Sequence, residues 1–336
     1  MKKMESIDVL YSFYFTKFAL NKKTTFLIYA ALFFCVVYFT QTGTKGKLIF
    51  AQNIALTSQT EPQGEADSLF REMLSSVEGA ISVSASIRQQ INLFGTEFHG
   101  LGSYHELKTP ELHGKEMTRF RLELQIQSPA TAKEVGSPNS ITIVCDRTYK
   151  YIYRYISLED EKFLERIEIK RLTDALEATR RSDIPMEVGS MFGLGGLAGM
   201  LREMRKRYDF LETPIRTQIG EENNKINVRK IRGQLKPALA KSLTETVANA
   251  KKQKIPNHIP TTIDVFIGDD DRFPFRFDYF WTADASPPSA ERFGYLLFYN
   301  QVLHDPISET MFDYFPSENL SPTDVTDQVI SRMLER

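Results

Sequence analysis

The chain has 336 residues, 42% of them hydrophobic and 25% charged, with 42 Lys and Arg against 43 Asp and Glu and a formal net charge of -1. This is the composition of a globular protein of one or two domains and excludes a fibrous or disordered chain. Near neutrality argues against a nucleic-acid partner, since such binders gather cations on one face to displace counterions from phosphates. Two cysteines, Cys35 and Cys145, are too few for a disulfide framework, and neither has a neighbour at metal-ligand spacing.

Residues 26–39, "FLIYAALFFCVVYF", form an uninterrupted apolar run between Lys22–Lys23 and Lys45–Lys47. The run enters a membrane: it has the length of a secretory h-region and is slightly short for a comfortable span. A cleaved signal and a retained anchor fit equally. The excess of Lys2, Lys3, Lys17, Lys22 and Lys23 over Glu5 and Asp8 keeps the amino end cytoplasmic and sends the rest across. Phe34 stands where a lipobox needs a small residue, so Cys35 is not read as a lipidation site. The expected organisation is residues 1–51 as n-region with signal peptide or anchor, 52–66 as a polar linker, and 67–336 as the folded domain.

In chain order, "ADSLFREMLSSVEGA" places Leu69, Phe70, Met73, Leu74 and Val77 on one helical face, with Asp67 as the candidate cap. "ISVSASIRQQINL" then alternates, with Ile81, Val83, Ala85, Ile87, Ile91 and Leu93 on one side, which means a strand. "MTRFRLELQIQS" repeats the pattern with Phe120, Leu122, Leu124 and Ile126, "SITIVCDRTYKYIYRYI" reads as a hairpin turning at Asp146–Thr148, and "EKFLERIEIKRL" continues the meander. After a helical middle segment, "KINVRKIRGQLK", "IPTTIDVFIG", "FPFRFDYFWTA" and "RFGYLLFYNQVL" resume the strands, with Asp269–Asp271 at a hairpin tip. About ten strands without strand-helix-strand alternation predict an α+β fold built on one large antiparallel sheet. The first helix, the segment 173–210 and "AKSLTETVANAKK" are the candidates to cover its apolar face, the last being the most solvated. The aromatic density of "RFPFRFDYFW" suits a pairing edge and hence a dimer.

"MFGLGGLAGMLREMRKRYDF" carries Gly193, Gly195 and Ala198 at dinucleotide-turn spacing, but "RRSDIPMEVGSMF" before it contains Pro185, Gly189 and no β-run. A phosphate-binding turn needs a buried strand there. The segment is read instead as a glycine-hinged amphipathic lid whose apolar stripe is Phe192, Leu197, Met200, Leu201 and Met204, the bland alternative being a glycine-capped core helix. Arg202, Arg205, Lys206 and Arg207 then form its solvated side or a site for lipid headgroups.

Chemistry-bearing patterns are sparse. His99, His105, His113, His258 and His304 lack metal spacing, Asp269–Asp271 lacks a calcium loop, and GxSxG, P-loop and CxxC patterns do not occur. The chain reads as non-enzymatic, with no catalytic residue, no metal ligand and no cofactor.

The order of segments is more informative. An amphipathic helix, "SVSASIRQQ", "FHGLGSYHEL", "MTRFRLELQI" and "ITIVCDRTYKYIYRY", followed by "DDDRFPFRFDYFW" and "LHDPISETMFDYFPSENLSPTDV", resembles the periplasmic outer-membrane lipoprotein carrier (LolA-like) family over residues 68–330. Arg147 stands where that family has Gly, and "HGKEMTRF" lacks its Arg-Pro, leaving Lys115 and Arg119 as the nearby cations. The resemblance implies a strongly curved open sheet, a half-barrel, whose apolar concave face is closed by helices and receives acyl chains of lipids or lipoproteins. It also implies a periplasmic, envelope location and an inner-membrane partner protein. The family fold also serves in membrane-tethered sensors, which keeps a regulatory module as the alternative. The side chains expected to line the cavity are Val83, Ile87, Ile91, Phe120, Leu122, Leu124, Phe273, Phe275 and Phe277, under the lid residues named above; a dry closed core is the rival arrangement.

Overall fold

Alternation of apolar and polar side chains dictates most of what forms. The computed structural model describes residues 64–93, 96–112, 115–127, 139–146, 148–158, 161–179, 195–220, 224–246, 260–282, 290–314 and 319–334. The apolar run 26–39, Cys35, the linker up to residue 63, and Phe192 therefore lie outside the described residues. The strands are β1 (Ser82–Leu93), β2 (Thr96–Leu112), β3 (Lys115–Gln127), β4 (Asn139–Cys145), β5 (Tyr151–Leu158), β6 (Glu161–Glu168), β7 (Tyr208–Phe210), β8 (Ile215–Ile219), β9 (Ile226–Leu235), β10 (Thr262–Gly268), β11 (Pro274–Thr282), β12 (Ala290–Leu303) and β13 (Thr323–Asp324). The helices are α1 (Glu65–Gly79), α2 (Ile169–Thr179), α3 (Gly196–Arg207), α4 (Pro237–Thr246) and α5 (Thr326–Leu334). Among the described residues no helix is long and apolar enough to cross a membrane.

All thirteen strands join one sheet in the order β13-β6-β5-β4-β3-β2-β1-β12-β11-β10-β9-β7, with β8 also on β9. The end strands do not pair with each other, so the sheet is open. Every pairing is antiparallel except β13 on β6. Its centre is a long-range closure, β1 against β12, with Val83 opposite Leu303 and Ile87 opposite Phe298.

The sheet curls around α3. That helix starts beside Glu106 on β2 and runs into β7, six strands away at about 4.8 Å each, or about 29 Å across a flat sheet. Its 12 residues extend only about 18 Å. A flat sheet cannot be bridged by it; a half-barrel can. Glycine makes the bend sterically feasible: a Cβ on Gly102 would sit 1.7 Å from the Glu123 carbonyl oxygen of β3, and one on Gly294 would sit 2.3 Å from that of Gln90 on β1.

Several elements depart from the reading of the sequence. β6 ends at Glu168 and Ile169 starts α2, so the first eight residues of "EKFLERIEIKRL" are strand and the last four are helix. Asp67 is not the cap of α1; Gly64 is, and Asp67 sits in the first turn, in reach of Arg71 and Arg205. β7 and β8 are three and five residues long, too short for periodicity to reveal. β11 lies inside the sheet between β10 and β12, so its aromatic side chains are not at a pairing edge.

The candidate lid and the apolar concave face

α3 is laid on the concave face by two left-handed residues, Gly195 at φ 104° and Gly196 at φ 58°. Its stripe Leu197, Met200, Leu201 and Met204 is 0–7% exposed and belongs to the core. Where the helix begins, Glu106 of β2 waits beneath it. The Leu197 N–H donates to Glu106 Oε2 at 2.8 Å, and the Tyr104 hydroxyl donates to the same oxygen. A Cβ on Gly196 would lie 2.2 Å from that oxygen, so the close approach requires glycine as well as the positive φ.

This contact explains what the glycines are for. The start of a helix carries unsatisfied N–H groups and the positive end of the dipole, and here a carboxyl of the chain itself takes the place an external anion would occupy. Glu106 is fully buried, and its second oxygen has no hydrogen-bond partner. Burial holds its carboxyl above the usual range, partly offset by the Tyr104 and Leu197 donors and by the Lys108 and Arg202 charges. Burial and the neighbouring Glu106 hold the Tyr104 phenol well above its usual value, so it remains a donor.

The expected cavity residues share one cluster: Val83, Ile87, Ile91, Phe120, Leu122, Leu124, Phe273, Phe275 and Phe277 are all buried in it. The cluster has two parts. On the β10–β12 side, Phe273 meets both Phe275 and Phe298 edge-on at ring separations of 5.8 and 6.0 Å, Phe277 meets Phe298 at 6.2 Å, and Tyr104 meets Phe298 at 6.2 Å. On the β3–β6 side the face is mostly aliphatic, with Leu122, Leu124, Ile141, Ile143, Ile152 and Ile156, while Phe120 of β3 belongs to the same cluster and Phe163 of β6 packs against it. One inward ion pair interrupts it, Arg154–Glu165, whose partners share strand parity with Ile152 and Ile167. Cys145 closes that slope; burial and Asp146 push its thiol up to about 12, against a smaller lowering by Arg119.

α3 is fastened to α1 from outside by Arg202–Glu78 at 2.8 Å and Arg205–Asp67 at 3.2 Å. Arg119 is not among the groups that reach α3. Its parity is opposite to that of Phe120 and Leu122, and it packs on the far face under the Tyr149 ring at 4.9 Å, beside Glu309 at 3.0 Å. His105 is on that far face too, with Nδ1 3.1 Å from the Ser84 hydroxyl, and no group of potential metal ligands assembles among the described residues. Glu106 went unnoticed in the sequence although a signal was there. In "FHGLGSYHEL" the even positions Phe98, Gly100, Gly102 and Tyr104 point inward, so a carboxylate at position 106 breaks the pattern.

No family model and no curated protein matches the chain. Solved structures do. A DUF1329 family protein from Desulfovibrio piger is 11% identical with a TM-score of 0.31, over 75% of this chain and 98% of its own. The Pseudomonas aeruginosa MucA/MucB complex is 8% identical with a TM-score of 0.35, over 75% of this chain and 62% of the other. A LolA superfamily protein from Nitrosomonas europaea is 9% identical with a TM-score of 0.23, over 74% and 97%. A LolA superfamily structure is thus among those the chain is similar to. At such scores the likeness concerns the fold and carries nothing about function.

Proposed function

We propose that the chain is a non-enzymatic, envelope-located protein on the periplasmic side that binds acyl chains of lipids or lipoproteins on the aliphatic side of the concave face, with α3 as the lid. The observation that carries this reading is the contact of Glu106 with the start of α3 over a mostly apolar surface. A buried helix start needs an acceptor for its orphan N–H groups, and Glu106 supplies one at a fixed place, so a helix that leaves the face has one defined position to return to.

The energies are commensurate. A sixteen-carbon chain leaving water gains about 12 kcal/mol at about 0.8 kcal/mol per methylene. Four large side chains of the lid, Leu197, Met200, Leu201 and Met204, recover about 1.5–3 kcal/mol each, or about 6–12 kcal/mol together. Neither occupant wins by a wide margin, so a latch of a few kcal/mol decides between them. Release of cargo becomes thermodynamically accessible for the same reason.

The test is uptake of a fluorescent fatty acid by delipidated protein, with Leu201→Trp as a reporter of lid position. Saturable uptake accompanied by a change in the reporter is expected; absence of both, with Phe275→Ala equally silent, removes the proposal. The alternative use of the same fold is a membrane-tethered sensor, favoured by the apolar run 26–39 with lysines on both sides. Sequencing the mature amino terminus separates them: a start beyond residue 39 supports a shuttle, and an intact start supports a tether.

A further inference from the structure

We propose that the outer side of α3, with the loop after β7, is a docking surface for the anionic phospholipid leaflet that residues 26–39 are read to enter. Arg202, Arg205 and Lys206 follow one another along the solvent side of the helix, and Lys236 faces them across a cleft of about 510 Å³ that Tyr208 and Leu211 also line. Leu211 is 75% exposed, and Ile215, beyond it, is 53% exposed. Cations beside projecting aliphatic side chains are the combination that headgroups and the acyl boundary attract.

The attachment point of the linker lies at this face. Gly64 lines the same cleft, and the 24 residues between positions 39 and 64 reach at most about 80 Å. A retained run would therefore join the domain at the rim of the cleft and keep this face within reach of the bilayer.

Each cation already has a carboxylate neighbour: Glu78 for Arg202, Asp67 for Arg205, Glu203 for Lys206 and Asp209 for Lys236 at 3.7 Å. The cations of these pairs are 37–53% exposed, which keeps the pairs weak, and the dense phosphates of a leaflet compete with them. Two of these pairs are the ties between α3 and α1. Resting on the proposed function, the consequence is that a leaflet which takes Arg202 and Arg205 from Glu78 and Asp67 loosens the lid at the place where acyl chains are to be had.

The experiment uses the full chain in nanodiscs of phosphatidylcholine alone or of equimolar phosphatidylcholine and phosphatidylglycerol. A Leu211→Trp reporter in a Trp281→Phe background is quenched by brominated acyl chains. Quenching in the mixed discs, weak quenching in phosphatidylcholine, and relief by added salt are expected. Lys206→Gln and Lys236→Gln leave both interhelical ties in place, and each should lower the docked-to-free ratio about fivefold. Equal quenching in both discs, or no response to either lysine variant, overturns the surface, as does emission that shifts with protein concentration without lipid, which assigns the face to a second copy. Docking without fatty-acid uptake removes the carrier reading alone; uptake without docking removes the surface alone.

Discussion

Glu106 gathers more consequences than any other residue. Its pKa is raised by burial, so the folded, latched state holds the proton more tightly than the unfolded chain does. The stabilisation is fully present below the ordinary carboxylate value of about 4.3 and is lost as pH rises through the raised folded value. Thermal melts should show a transition temperature that falls with pH across this window, with the Glu106-dependent part of the slope absent in Glu106→Gln. The groups facing it, Tyr104, Lys108 and Arg202, are unchanged in that variant. The amide oxygen of Gln can still accept from Tyr104 and Leu197, whereas Glu106→Ala orphans both donors and should cost about 1–3 kcal/mol for each. Gly196→Ala is the complementary test. A methyl there meets the carboxylate oxygen at 2.2 Å at a positive φ, so a loss of about 1–3 kcal/mol is expected from denaturant unfolding.

At the scale of elements, the proposed movement of α3 can be tested. Cys145 lies on the aliphatic slope, 4% exposed, with its thiol pushed up to about 12. Near-neutral solutions should contain almost no thiolate, and a disulfide reagent at pH 8 should react only through opening. Loss of the one partner on α3, the Leu197 N–H, at about 1–3 kcal/mol in Glu106→Ala, should raise the labelling rate about 5- to 150-fold; a rate unchanged from the wild type would mean that the slope is not reached by moving α3. Most elements were legible because period-two patterns survive in isolation, as in "ISVSASIRQQINL" and "MTRFRLELQIQS". β7 and β8 were not, since a pattern of three to five residues carries no period. The aromatic run of β11 misled for another reason. Alternation tells which side chains share a face, and it says nothing about whether the strand lies at an edge or in the interior.

For the whole molecule, the central pairing of β1 with β12 is the main constraint. The Ser82 hydroxyl donates to the Asp305 carbonyl across 223 residues of chain, so neither half of the sheet closes its core without the other. A fragment ending before β10 should be unfolded by circular dichroism. Ligand linkage gives a test of the closed and open states together: a fatty acid at a hundred times its Kd should add about 2.7 kcal/mol to the stability of a protein that binds it only when folded. The gain should be larger in Glu106→Ala, where the competing lid is weakened, and equal gains would separate the ligand from α3.

The sequence by itself determined which side chains of the longer strands face inward, the apolar stripe of α3 and the presence of the apolar run 26–39, because periodicity and hydropathy are local properties. Only the tertiary structure decided that Glu106 meets Leu197 across 91 residues, that the rings of Phe273, Phe275, Phe277 and Phe298 gather edge-on, and that Gly64 and the cations of α3 share a cleft. These depend on strand order and on the curl of the sheet. Distances between remote segments follow from the sum of many pairings, and no single stretch of sequence encodes that sum.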